Sequence, residues 1–224
     1  MLNNFITVLI VEITKFLSKN KQFLEQDSKK RLSTLEEFKL PNSIKDYLSE
    51  VKSGDLTSDL SSLIEFLKGS TASISENKLA VSIAKFLNKN FANDVYSLPL
   101  DFFKITYAEQ TEAANKVINS NSELATALKG ILTDYSYQEI LNEIQNFSSK
   151  TLNTPLIIVQ SPIELSFEQK TEIKDQLNKE QKAICVPLFT INKSLIGGLR
   201  IYLNGKVQDF SWLGKINLIT SLKI

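Results

Sequence analysis

The sequence predicts an α+β protein, with an all-α helical bundle over residues 1–150 and a small β-α-β-β unit with a C-terminal helix over 151–224. Three observations carry this reading. Up to about residue 150, apolar residues recur at three- and four-residue spacing behind repeated helix-start signals. After the polar stretch SSKTLNT at 148–154, short β-branched runs take over, two of them joined by Asn204-Gly205. Finally, four of the seven glycines (Gly197, Gly198, Gly205, Gly214) fall near the C-terminal end, where the backbone must turn tightly or approach another chain.

In the helical half, side-chain chemistry sets the boundaries. Ser33 with Glu36, Ser73 with Glu76, Ser120 with Glu123 and Ser136 with Glu139 fit the capping box, in which hydroxyl and carboxylate satisfy first-turn amides reciprocally. Apolar stripes accompany these signals: Leu56, Leu60, Leu63, Ile64 and Leu67; Leu79, Ile83, Phe86 and Leu87; Ile140, Leu141, Ile144 and Phe147. Pro41 followed by Asn42-Ser43 breaks and restarts the chain, and Gly54 and Gly69 suit helix ends. Pro99 opens a helix through Phe102, Phe103 and Ile105 toward Val117. The expectation is six to eight helices packed antiparallel with their stripes inward.

In the second half, the run Pro155 to Val159 reads as a strand buried on both faces. Ser166 with Gln169 caps a helix carrying Phe167, Ile173 and Leu177 on one side. Residues 182–191 read as a second strand, 199–203 as a third and 206–208 as a fourth, with Asn204-Gly205 as the hairpin turn. Asp209 or Ser211 then caps a last helix whose apolar positions are Trp212, Leu213, Ile216, Ile219 and Leu222.

The composition excludes several kinds of chemistry. There is no histidine, hence none of the commonest general base or metal ligand. The one cysteine, Cys185, stands in an apolar run without a histidine partner and reads as a buried inert thiol. The formal charge of +1 and the presence of only two arginines, Arg31 and Arg200, argue against nucleic acid as a partner. Lys29-Lys30-Arg31 reads as a solvated helix face. The apolar run 5–11 is broken by Glu12 and Lys15, too soon for a spanning helix, so direct membrane insertion is not expected. No basic leader or transit-type segment is visible, and a reducing compartment is expected. Gly197-Gly198 leads into LRIYL, a strand, so a bend in a sheet is a better reading than a phosphate loop. No cofactor or metal constellation emerges.

The segment Leu195-Ile196-Gly197-Gly198, followed by Gly205, Asp209 and Ser211 and a terminal amphipathic helix, resembles the delta subunit of F-type ATP synthase, whose mitochondrial counterpart is the oligomycin-sensitivity-conferring protein. Ser161-Pro-Ile-Glu-Leu-Ser166 and the charged helix after it are similar to that family's Pro-Leu-Ser segment. The resemblance covers residues 155–224. It departs from the family at Asn192, where an acidic residue is usual, at Phe210, where glycine is usual, and in a longer helical half lacking the family's Tyr-Ala-x-Ala-Leu opening.

The resemblance implies a non-catalytic peripheral-stalk subunit that resists rotor torque during proton-driven ATP synthesis. On it, the helical half would grip N-terminal segments of the alpha subunits and the small domain would hold the b-type stalk helices, within a hetero-oligomeric membrane complex. The setting it implies is the cytoplasmic face of a bacterial plasma membrane, or the matrix face if organellar. Phe5, Ile6, Leu9 and Ile10 of the first helix and Trp212, Ile216 and Ile219 of the last are the expected partner-binding positions; the rival reading is that they fill cores. A different class of function, an RNA-binding or generic protein-interaction adaptor, would rest on Tyr202 and Arg200 of the third strand.

Overall fold

The structure, a computed structural model, describes residues 1–69 and 74–215. The helices are α1 (Leu2–Lys19), α2 (Ser28–Glu36), α3 (Asn42–Glu50), α4 (Ser53–Leu67) and α5 (Lys78–Phe86). Through a π-helical turn at Leu87–Phe91, α5 runs into the short α6 (Ala92–Tyr96), and α7 (Tyr107–Val117), α8 (Glu123–Asp134) and α9 (Tyr137–Leu152) follow. The remainder is β1 (Ile157–Ser161), α10 (Phe167–Gln181), β2 (Leu188–Ile191), β3 (Arg200–Leu203) and β4 (Lys206–Asp209). The C-terminal helix begins at 212, and its first turn, 212–215, is the part described.

Caps explain where the helices start, and they correct parts of the sequence reading. Ser136 with Glu139 and Ser166 with Gln169 form complete capping boxes. So do Thr106 and Glu109, a pairing the serine-centred reading missed. Ser33, by contrast, lies inside α2, where its hydroxyl donates to the Lys30 carbonyl, and Asp27 caps that helix by accepting from the Lys30 amide at 2.9 Å. Ser122 rather than Ser120 caps α8, and Asn77 caps α5; Ser73 lies outside the described residues. Gly54 sits in the first turn of α4 and ends no helix, whereas Gly69, at φ 90°, follows the end of α4 as a C-terminal glycine should. Pro99 does not start a long helix. A 3₁₀ turn at Phe102–Lys104 ends at Ile105, and the Thr106 box restarts the chain as α7. The polar stretch 148–154 is not a linker along its length, since α9 continues to Leu152 with Ser148 and Thr151 buried, and Asn153 at φ 51° ends it.

Around α5 the helical half closes on an apolar core. Phe5, Ile6 and Leu9 of α1, Ile83 and Leu87, Phe91, and Leu141 and Ile144 of α9 are all fully buried. Phe16 meets Phe23 and Phe38 edge-on, with ring centroids 4.8 Å and 4.5 Å apart. Each such side chain contributes about 2 kcal/mol by leaving water. Arg31 is buried as well, contrary to the expected solvated face. Its guanidinium donates to the Gln26, Val51 and Leu24 carbonyls and lies over the Phe23 ring, tying the end of α3 to α2.

The sheet order is β2-β1-β3-β4, with β1 parallel to β2 and antiparallel to β3, and β3-β4 an antiparallel hairpin. Asn204 and Gly205 both have positive φ, 48° and 80°, which a type I′ turn requires. β1 is buried on one face only: Ile157 and Val159 point inward while Ile158 is exposed on the other face. The second strand is shorter than expected. Lys182 ends α10 at φ 50°, and the chain becomes extended in the sheet only after Pro187. One apolar core runs through both halves, from Leu2 and Phe5 to Val186, Leu188 and Phe189.

Candidate partner-docking surfaces

The glycine-rich motif builds a latch between the hairpin and the last helix. Leu195 is fully buried, and Ile196 is held at φ 63°, a conformation β-branched residues rarely adopt. Gly197 lies under the Trp212 indole, 3.4 Å from the place a Cβ would occupy, and its carbonyl accepts from the Trp212 amide at 3.0 Å. Gly198, at φ 76°, lies so close to the next segment that a Cβ would sit 2.4 Å from the Phe210 carbonyl oxygen. At the other side of the latch, Asp209 Oδ2 accepts from Arg200 Nε and Nη2 at 3.0 and 2.7 Å. Its Oδ1 accepts from the Ser211 amide at 2.9 Å and from the Ser211 hydroxyl. The Ser211 hydroxyl and amide, together with the Arg200 guanidinium, hold the Asp209 carboxyl below its usual range. Ser211 Oγ in turn accepts from the Gly214 amide at 3.0 Å and so caps the last helix. At Gly214 a Cβ would fall 2.6 Å from the Asp209 carboxyl carbon, which explains the fourth glycine.

Beside this latch the surface is apolar and open. A groove of about 510 Å³ lies between α10 and the 196–199 loop, lined by Pro162, Ile163, Leu165, Ile173, Ile196 and Leu199. Ile163 and Ile196 are 68% and 65% exposed, and Trp212 beside them is 62% exposed. A second trough of about 350 Å³ continues along α10 between Leu177, Ile201 and Phe210. Phe210 is exposed and forms one wall of it. Asn192 supplies by its amide the local acceptor role: Oδ1 accepts from the Ser194 amide at 3.1 Å, while Nδ2 donates to Gln160.

A third trough, about 500 Å³, runs between α1 and α8. Asn4 and Val8 line it from α1, and Ala127, Gly130 and Ile131 from α8, with Glu123 and Asp134 on its rim. Nothing lies nearer than 4.0 Å to a Cβ built on Gly130, so the floor is open to a close backbone.

The predicted positions divide accordingly. Leu195, Ile196, Gly197, Gly198, Asp209, Ser211 and Trp212 are brought together, and Gly205 sits at the far hairpin turn. Phe5, Ile6 and Leu9 are fully buried in the core, and Ile10 packs partly buried against it. The α1 residues that reach a surface trough are instead Asn4 and Val8, one helical step round from the core stripe. Ile216 and Ile219 lie outside the described residues. The sequence reading missed Ile163 and Phe210, whose exposure depends on what happens to pack nearby.

Burial pushes the Cys185 thiol up to about 11, so at neutral pH it stays protonated. Among the described residues no group of three or more His, Cys, Asp or Glu could hold a metal ion, and no helix is long and apolar enough to cross a membrane. Arg200, one of two residues behind the RNA-binding alternative, is engaged by Asp209.

No curated protein matches the chain. The sequence model of the ATP synthase delta (OSCP) subunit family matches residues 104–222, from the 3₁₀ turn before α7 through the β unit and beyond the latch, leaving α1–α6 before the match. That span is more than half of the 224 residues, and the Gly197-Gly198, Asp209 and Ser211 latch lies within it, so the chain belongs to the ATP synthase delta (OSCP) subunit family.

Proposed function

We propose that the chain is a static two-ended clamp within the peripheral stalk of the ATP synthase. Residues 1–150 hold N-terminal helical segments of the alpha subunits in the α1–α8 trough. Residues 151–224 hold the end of a b-type stalk helix in the groove between α10 and the 196–199 loop. The membership of the chain supports a peripheral-stalk subunit of a membrane-bound rotary ATP synthase. The observation that carries the finer reading is the pairing of two open troughs, about 500 and 510 Å³, in different parts of the chain; an amphipathic helix lays its apolar face into a groove of this kind. The strained, outward-held Ile196 supports the second site, since such a backbone costs on the order of 1–3 kcal/mol and persists where its surroundings enforce it.

In this reading the subunit does no bond chemistry. Its task is to resist torque, and gripping two partners at once raises the effective concentration of each for the other. The setting is the face of the membrane that carries the catalytic head, cytoplasmic in a bacterium or matrix in an organelle.

Two variants of the tagged chain, purified with its complex in mild detergent, test the assignment. Gly130→Trp fills the α1–α8 trough and is expected to lose alpha and beta while retaining the b-type helix. Ile196→Asp puts a charge in the other groove and is expected to do the reverse. Loss of neither partner, or of the wrong one, refutes the assignment of the two troughs.

A further inference from the structure

The helical half and the β unit meet through polar side chains as well as apolar ones: Gln145 of α9 donates to the Ile157 and Val186 carbonyls, the Tyr96 hydroxyl donates to the Pro187 carbonyl, and a further set of bonds centres on Asn88. Asn88 stands in the π-helical turn and is fully buried. Its Nδ2 donates to the Ile184 carbonyl ahead of β2 at 3.1 Å, and its Oδ1 accepts from the Ser148 hydroxyl of α9 at 2.6 Å. Its carbonyl oxygen accepts from Lys174 Nζ of α10 at 2.6 Å. In the π turn the Ala92 amide bonds back to Leu87, five residues earlier, which widens the helix. Lys174 is itself buried; it also donates to Asn93 Oδ1 at 2.7 Å and lies over the Tyr96 ring. Asn88 therefore bonds at once to α9, to α10 and to the approach to β2, from a helix that lies before the family match.

We propose that Asn88 is an internal lock that joins the helical half to the β unit, so that the chain opens and carries load as one body instead of two bodies on a hinge. A buried amide with all its partners fixed has one low-energy arrangement. A small rotation of either half breaks several bonds together and strands buried polar groups, which makes the junction stiff. The apolar contacts at the junction, such as Tyr96 edge-on to Phe189 at 5.2 Å, are non-directional and would tolerate a slide. The lock is a property of the isolated chain and stands whether or not the two troughs hold the partners assigned above.

Hydrogen exchange of the purified full-length chain, read by peptide mass spectrometry under native conditions, tests it. In the wild type, the slowest amides of β1 and β3 are expected to open together with those of α1 and α3, within about threefold. In Asn88→Leu the β1 and β3 amides should exchange at least tenfold faster than before, with α1 and α3 changed less than threefold. Lys174→Met removes the bond from α10 to the Asn88 carbonyl, which crosses the junction, and should produce a smaller split in the same direction, which serves if Asn88→Leu does not fold. Separate opening of the two halves in the wild type would overturn the single-body inference. Equal acceleration of both halves in the variants would overturn the role given to Asn88 and leave the apolar core and the Gln145 and Tyr96 bonds as the coupling.

Discussion

Replacing Gly198 by alanine tests the latch most sharply. The residue has φ 76°, which costs an L-residue about 1 kcal/mol in backbone strain alone. The added methyl would lie 2.4 Å from the Phe210 oxygen and 3.0 Å from the Ser211 Cα, both backbone, so the two segments must separate. Separation threatens the Phe210 amide bond to the Leu199 carbonyl, 2.8 Å, and the Trp212 amide bond to Gly197, 3.0 Å. At about 1 kcal/mol for each bond, the total is about 3 kcal/mol, a large share of the about 5–15 kcal/mol that holds a domain. Gly197→Ala provides the contrast: its methyl would touch the Trp212 ring at 3.4 Å, and its φ is not in the left-handed region, so less than about 1 kcal/mol is expected. Trp212 is the only tryptophan and lies on the latch, so urea unfolding followed by its fluorescence reads both variants. A Gly198→Ala protein within about 0.5 kcal/mol of wild type, or a Gly197→Ala protein equally destabilised, would refute the reasoning.

Other expectations follow from buried polar groups. Burial lowers Lys174 from 10.5 to about 8, with Asp175 opposing the shift, so the charged form favours the unfolded chain and stability rises with pH between these values. From pH 8 to 9.5 the wild type should gain about 1.5 kcal/mol relative to Lys174→Met, and parallel profiles would contradict the shift. Tyr96→Phe removes the hydroxyl that donates to the Pro187 carbonyl at 2.8 Å and should cost about 1–2 kcal/mol in urea unfolding. Ser136→Ala removes one half of the α9 capping box and should cost about 1 kcal/mol by the same assay. The latch is held by an ionised Asp209 whose folded pKa is lowered. Its contribution is present above the ordinary value of 3.8 and lost as pH falls through the folded pKa, so Trp212 emission should change only in acid.

The parts of this protein that were legible in sequence are those set by local chemistry. Asn204-Gly205 specifies its turn because both residues tolerate the positive φ that a type I′ turn requires, and Ser136 with Glu139 specifies a helix start within four residues. The class of fold and the family could both be read, the second because the latch glycines are demanded by contacts close in sequence, Gly198 with Phe210 and Gly214 with Asp209. What could not be read depends on distant neighbours. Phe5, Ile6 and Leu9 make the same apolar stripe whether a partner or the core covers it, and here the core does. On α10, Lys170 and Lys174 are buried while Phe167 is exposed, the reverse of what polarity suggests. The cause is that carbonyls at Tyr96 and Asn88 accept their ammonium groups, and nothing local signals those acceptors. The same holds for Arg31, which sequence places in water and the carbonyls of Val51 and Leu24 draw inside.

The central claim, a clamp that belongs to a rotary ATP synthase, is tested most directly by purifying the tagged chain from its own cells in gentle detergent and identifying what comes with it. The catalytic alpha and beta chains and a b-type stalk chain are expected together in near-equal yield with one another's complex. Recovery of the chain alone, with none of these components, would contradict the account.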